Sequence, residues 1–211
     1  MDNSEQAASV FNKLATLYQS KFMDVGAYAD TLDLFCTYIN ITNPQVLEIA
    51  CGPGNITQYL LKKRADFNIL GIDLAPNMID LAKTNNPQAH FEVMDCRKIS
   101  QLDQKFEGIM AGFCLPYLNK TEMAQLIADA AQLLNPNGLL YLSTMEDDYG
   151  QSGFRKGSTG DEVYMHYYLA DDLVSELQKH PFTVLTLVQQ AYPTTDGSKV
   201  TDLIIIAQKQ A

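Results

Sequence analysis

Cations are scarce in this 211-residue chain. Lys and Arg together number 15 against 25 Asp and Glu, giving a formal charge of -10 and an isoelectric point near 4.6. Such a surface repels phosphate backbones and anionic headgroups, so nucleic acid and membrane surfaces are disfavoured as partners. Cysteine is sparse too: Cys36, Cys51, Cys96 and Cys114 stand far apart, with no Cys-x-x-Cys pair. That excludes a disulfide framework and reads as reduced thiols in a cytoplasmic protein. No His, Cys, Asp or Glu cluster has metal-ligand spacing, so no metal is expected. No apolar run approaches the roughly 20 residues of a membrane-spanning helix, and the polar, acidic start MDNSEQ does not resemble a signal peptide. There is no Gly-x-Ser-x-Gly elbow, and no Gly-x-x-x-x-Gly-Lys loop to cradle a triphosphate.

What is present is 46% hydrophobic sequence, enough for the core of one ordinary domain. Short aliphatic runs alternate with helical periodicity, which predicts an α/β fold with a largely parallel sheet. PQVLEIA, FNILGID, HFEVMD, FEGIMAGF and LLYLST are the successive strand candidates. Pro76 opens a helix, where its missing N–H is harmless. Asn119 and Glu122 have capping-box spacing before a long amphipathic helix that Asn135-Pro136-Asn137-Gly138 should stop. Phe11, Leu14, Ala15 and Tyr18 predict a helix ahead of the first strand, and AYADTLDLFCTYI a second; together they form a helical cap. MEDDYGQSGFRKGSTGDE reads as a polar surface excursion, and VYMHYYL after it alternates like a strand. FTVLTLVQQAY and VTDLIIIAQ flank Asp196-Gly197, the signature of a closing antiparallel hairpin.

The informative segment runs from Val46 through Glu48 to Ala50-Cys51-Gly52-Pro53-Gly54-Asn55. An apolar strand enters a turn of small residues and then a helix, at the sheet end where doubly wound folds bind ligands. Gly52 and Gly54 let the backbone bend sharply and a ligand approach it closely. Glu48 is an acid in a strand that should be buried, so it needs a partner: a ligand amine, held water, or access to solvent at the strand end. Asp73 closes the second strand about twenty residues beyond the glycines, where a carboxylate can accept both hydroxyls of a ribose. Asp95 closes the third, placed to accept from an exocyclic amine while the Cys96 N–H reaches a ring nitrogen. Three acids ending three successive strands suit a ligand with amines, hydroxyls and positive charge.

In order, LEIACGPG, GIDLAPNMIDLAK, FEVMDC, FEGIMAGFCLPYL and LLNPNGLLYLST resemble the motifs of class I S-adenosylmethionine-dependent methyltransferases, of the small-molecule type, from about Val46 to Thr144. The resemblance implies S-adenosyl-L-methionine as cofactor and a doubly wound, mostly parallel seven-stranded sheet. It implies that the acid at Glu48 helps hold the methionyl amine and that Ala50, Cys51, Gly52 and Gly54 pass close to the cofactor. Asp73 would bind the ribose, Leu74 and Met78 would pack near adenine, and Asp95 and Cys96 would be the adenine-binding pair. Phe113 and Cys114 would line the methionine and transfer end. FNKLATLYQSKF resembles the helix before the sheet in these enzymes, whose tyrosine folds over the cofactor, which makes Tyr18 the candidate. Ala50 departs from the glycine common there. GFCLPY replaces the Asn/Asp-Pro-Pro-Tyr/Phe of amino-methylating enzymes acting on nucleobases or protein glutamine, which argues against those substrates. The expected organisation is a single domain with a cap over 1–42, a cofactor-binding core over 43–144, an acceptor lid over 145–169, and a terminal helix and hairpin over 170–211.

A sulfonium-bound methyl is already activated, so alignment with a nucleophile can supply about 7–11 kcal/mol of the barrier, and a base is needed only for a protonated nucleophile. His166 is the candidate base. Tyr117, Tyr149, Tyr164 and Tyr168 are candidate walls of a pocket for a small-molecule acceptor. A nicotinamide oxidoreductase is the rival within the fold, but Thr57 stands where Gly-x-Gly-x-x-Gly would need its third glycine. A non-catalytic binder of the cofactor or of a protein remains a second alternative, because methyl transfer needs no diagnostic residue.

Overall fold

The computed structural model describes residues 2–193 and 199–211. Helix α1 (Asn3–Phe22) starts at a reciprocal capping box in which the Asp2 side chain accepts from the Glu5 N–H and the Glu5 carboxylate from the Asp2 N–H. A 3-10 turn at Gly26–Tyr28 leads into α2 (Ala29–Tyr38). Then come β1 (Gln45–Ile49), α3 (Asn55–Lys63), β2 (Asn68–Asp73), α4 (Pro76–Asn85), β3 (His90–Val93) and β4 (Phe106–Gly112). A 3-10 turn at Leu115–Tyr117 precedes α5 (Lys120–Leu133), whose Asn119–Glu122 capping box forms as its spacing predicts. The rest is β5 (Leu134–Glu146), β6 (Gly153–Lys156), β7 (Glu162–Met165), α6 (Ala170–Leu177), β8 (Phe182–Pro193) and β9 (Lys199–Lys209).

Seven strands form one sheet in the order β3-β2-β1-β4-β5-β9-β8, parallel from β3 to β5 and antiparallel through β9 and β8. The chain is therefore the doubly wound α/β fold with a C-terminal antiparallel pair and an N-terminal helical cap that the sequence predicts. Both faces are covered, which is why the strands read as near-continuous aliphatic runs. Leu47, Ile49, Ile109, Ala111, Leu203 and Ile205 pack toward α5 and α6 on one face. Val46, Met110, Ile204 and Ile206 pack toward α2 and α3 on the other. Strand order reverses between β1 and β4, which places the ligand-binding crevice at their carboxyl ends.

Asn135–Gly138 follows the end of α5, as expected, and forms a bulge inside β5: pairing with β4 jumps from Phe106↔Leu134 to Gly108↔Leu139, with Asn137 at φ 64°. Only Glu162–Met165 of the alternating segment is strand, and it pairs with β6 in a separate two-stranded sheet, so His166 and the tyrosines after it lie beyond the ladder. The turn at Asp196-Gly197 lies outside the described residues. Among those residues, no helix is long and apolar enough to cross a membrane.

Candidate functional site

The bend after β1 is wound by left-handed backbone at alternate positions: Ala50 (φ 52°), Gly52 (φ 53°) and Gly54 (φ 77°). For Ala50 this conformation costs roughly 1–2 kcal/mol, and such strain persists where its surroundings fix it. Two contacts fix it here. The Cys51 N–H donates to the Ile72 carbonyl of β2 at 2.9 Å, and the Gly52 N–H donates to the Asp73 carboxylate at 2.9 Å. The other Asp73 oxygen accepts from the Ala75 N–H at 2.8 Å. Asp73 thus ties together the loops leaving β1 and β2. Burial pushes its pKa up, against the lowering effect of those N–H groups.

A cleft of about 830 Å³, mouth included, lies over these loops and under α1. Ala50 and Gly52 face it from the bend, and Asp73, Leu74 and Met78 from the second loop and α4. Asp95 and Cys96 face it from beyond β3, and Phe113, Cys114 and Tyr117 from the exit of β4. Tyr18 closes it from α1, its hydroxyl pKa pushed up to about 12 by burial and by Asp73. Its ring packs between Phe11 (5.8 Å) and Phe22 (4.7 Å). Burial holds the Cys96 thiol up at about 12 and raises Cys114 as well, so both thiols are protonated at neutral pH. Tyr117 packs edge-on against Phe11 at 5.2 Å, and burial raises its hydroxyl pKa.

Asp95 is shared with the protein itself. Its oxygens accept from the Arg97 N–H (2.9 Å) and from the Arg97 guanidinium at 2.7–3.0 Å. Arg97 also reaches Asp2 at 2.6 Å and Glu122 at 2.9 Å. Burial works to raise the Asp95 pKa, but the bonds from Arg97 outweigh it and the carboxyl sits below its ordinary value.

Other expected site residues lie elsewhere. Glu48 does not face the cleft: it is 1% exposed and accepts the Thr57 hydroxyl of α3, because alternation turns it to the helix side of β1. Cys51 points down against Ile79, Ala82 and Phe91. Gly54 approaches α4 and not the cleft, since a Cβ there would sit 2.4 Å from Asn86 Nδ2. His166 is 6% exposed, stacked 5.7 Å from Tyr149 and tilted 4.8 Å from Tyr164, and Nδ1 has no hydrogen-bond partner among the described residues. It does not reach the cleft, and burial lowers its pKa although Glu122 opposes this. Tyr149 and Tyr164 belong to that aromatic cluster. Tyr168 is fully buried, its hydroxyl donating to the Leu118 carbonyl. None of these seven lines the cleft.

Sequence reasoning missed the roof. Ser4, Ala7, Ala8 and Phe11 line the cleft with Tyr18, and their three- and four-residue spacing was the signal: small residues upstream of Phe11 leave room beneath the helix. Met94, Gly112 and Leu118 were also missed. The described residues hold no group of three or more His, Cys, Asp or Glu suited to a metal ion.

Residues 46–138 match the family described as a methyltransferase domain. The chain is 25% identical over 148 residues to the ubiquinone biosynthesis O-methyltransferase of Hydrogenovibrio crunogenus, covering 66% of this chain and 60% of that protein. It spans less than two thirds of the length of the curated relatives it matches. Among solved structures, N-methyltransferase NodS from Bradyrhizobium japonicum, in complex with S-adenosyl-L-homocysteine, superposes with a TM-score of 0.72 at 18% identity over 100% of both chains. The [4+2]-cyclase SpnF superposes with a TM-score of 0.76 at 15% identity over 100% of this chain and 98% of that one. At these identities the two structures establish a shared fold.

Proposed function

We propose that this chain, whose residues 46–138 match the family described as a methyltransferase domain, is a class I enzyme that transfers the methyl group of S-adenosyl-L-methionine to a small-molecule acceptor. The observation that carries the reading is the Asp73 carboxylate, held by the Gly52 and Ala75 N–H groups at the floor of a cleft on the strand-order reversal. The lining fits a nucleoside: a half-buried anion for ribose hydroxyls, apolar Leu74 and Met78 for the base, and a bend at Ala50 and Gly52 without bulky side chains.

When bound, the cofactor supplies a methyl already activated by its sulfonium. The chain's own work is binding, orientation and exclusion of water. Asp73 holds the ribose, and Leu74 and Met78 flank the adenine. Asp95, with one edge taken by Arg97, and the Cys96 backbone serve its polar rim. Phe113 and Cys114 form the transfer end, Tyr18 covers the bound nucleoside, and Tyr117 walls the acceptor side. Glu48 acts at one remove, by tying β1 to α3 through Thr57. The division of the single domain that supports this reading is the one expected from the sequence, at 1–42, 43–144, 145–169 and 170–211. Residues 145–169 clamp α1, since Asp161 accepts from Lys13 at 2.8 Å and Ser158 from Lys21 at 3.3 Å.

The direct test is a thermal shift with S-adenosyl-L-homocysteine and with NADH. A rise with the thioether alone is expected, and a rise with NADH alone overturns the reading. Asp73→Ala should weaken thioether binding by about 1.5–3 kcal/mol, the worth of charge-assisted hydrogen bonds. The likeness to SpnF supports a second reading, a methyltransferase fold put to other chemistry. Methyl-labelled cofactor incubated with a metabolite extract separates the two: a labelled small product supports transfer, and tight cofactor binding with no labelled product supports the alternative.

A further inference from the structure

We propose that Asp202 and Tyr28 are positioning residues for the transfer end of the cleft: Asp202 fixes the Tyr28 hydroxyl, and Tyr28 fixes the ring of Phe113. The inference rests on the cofactor reading above, which gives Phe113 the wall beside the reacting methyl.

Phe113 leaves β4 at φ 54°, a left-handed conformation that aromatic residues rarely adopt. Strained backbone of this kind lasts only where several contacts over-determine it. Its N–H is doubly held on β5, by the Ser143 carbonyl at 3.2 Å and the Ser143 hydroxyl at 3.0 Å. Its ring is held by Tyr28, whose ring centroid lies 5.2 Å away at an interplanar angle of 55°. Tyr28 ends the 3-10 turn before α2, and its own hydroxyl donates to Asp202 Oδ2 at 2.8 Å.

Asp202 is the anomaly in its strand. The residues that follow it, Leu203 to Ala207, are aliphatic and fully buried, whereas Asp202 is an acid only 4% exposed. Among the described residues its carboxylate accepts one side-chain hydrogen bond, from Tyr28. A buried acid costs stability unless it is paired, and residues that break a local rule in this way collect at functional sites. β9 lies across the sheet edge from the cleft, with Asp202 in register with Met145 of β5. The pair Tyr28 and Asp202 therefore links the antiparallel end of the sheet to the one cleft wall whose backbone is strained and whose side chain is a ring. The Tyr28 carbonyl is anchored as well, by the Thr31 hydroxyl that also meets Tyr141. The turn that carries the ring is thus held at its carbonyl and at its hydroxyl.

The test uses S-adenosyl-L-methionine carrying a carbon-13 methyl, observed by NMR bound to the full chain, with calorimetry of S-adenosyl-L-homocysteine binding beside it. The wild-type bound methyl should resonate away from its free position because of the neighbouring ring. Tyr28→Phe and Asp202→Ala should both move that resonance while thioether affinity, which does not involve the methyl, changes little. Asp202→Asn keeps an oxygen for the Tyr28 hydroxyl and should restore the wild-type resonance, a rescue that a role for the negative charge would not produce. Resonances of Tyr28→Phe and Asp202→Ala that coincide with wild type overturn the proposal, as does Asp202→Asn behaving like Asp202→Ala. If Asp202→Ala does not fold, Tyr28→Phe decides. Absence of any bound signal from the folded wild-type chain overturns the cofactor reading itself, a result distinct from the others.

Discussion

The Thr57 hydroxyl donates to the Glu48 carboxyl across the bend from β1 to α3, so the one acid of β1 is tied to the helix that follows it. Burial pushes the Glu48 pKa up to about 8 from 4.5, against the lowering effect of Thr57. An acid with a raised folded pKa stabilises the fold when protonated. Its contribution is therefore complete below about 4.5 and is lost as pH rises through about 8. Glu48→Gln keeps the acceptor for Thr57 and removes the titration. Denaturant unfolding across this range should show wild-type stability falling relative to the variant, whereas parallel curves would mean that Glu48 is not buried as an acid.

Much of the fold was legible because strands buried on two faces leave unbroken aliphatic runs, and Pro76 and Asn119 mark helix starts by local chemistry alone. The cleft floor was legible for the same reason: Asp73 and Gly52 sit at a sequence spacing that the β1–β2 geometry dictates. The inward turn of Glu48 was not, since a strand-end acid reads alike on either face until α3 is in place. His166 was misplaced because alternation was extended past Met165, where the ladder ends. The small-residue stripe on α1 was visible, but nothing local says what a helix will cover.

The two left-handed glycines of the bend should fail differently. A Cβ on Gly52 would find Tyr18 Cε1 at 3.8 Å, which is ordinary contact, and would project into the cleft. A Cβ on Gly54 would meet Asn86 Nδ2 at 2.4 Å and the Ala82 backbone at 3.3 Å. Gly52→Ala is expected to cost roughly 1–2 kcal/mol of stability through its φ and to reduce cofactor affinity in addition. Gly54→Ala should lose more stability than that, on the order of 2–4 kcal/mol, because overpacking adds to the same backbone strain. Melting temperatures paired with calorimetry check this; equal stability losses would sink the distinction.

Arg97 joins the capping acid of α1 to the acid at the cleft rim, since one guanidinium serves Asp2, Asp95 and Glu122. Replacing it with leucine leaves Asp95 unpaired and partly buried, at a cost of about 1–3 kcal/mol. The first turns of α1 should then exchange amide hydrogens faster while β1 and β4 keep their protection. Arg97→Lys should recover only part of this, because an ammonium cannot span three carboxylates as a planar fork does. Uniform loss of protection over the whole chain would show that Arg97 supports the fold at large and not the roof.

His166 should prove dispensable for the site and costly in acid. It is neutral among Tyr149 and Tyr164, with an unpartnered Nδ1, and its folded pKa is depressed by burial despite Glu122. The unfolded chain takes up the proton first, so the stability this residue contributes is present above about 6.5 and is lost as pH falls through the lower folded value. His166→Phe keeps a ring for the stack and removes both the orphaned nitrogen and the charge. Its unfolding free energy should match or exceed wild type at neutral pH and should lack the component of the acid decline that begins near 6.5. Thioether affinity should be unchanged, because the ring does not touch the cleft. A variant whose stability falls with acid as steeply as wild type would place the imidazole in contact with water, and a loss of affinity would return His166 to the site from which the packing removes it.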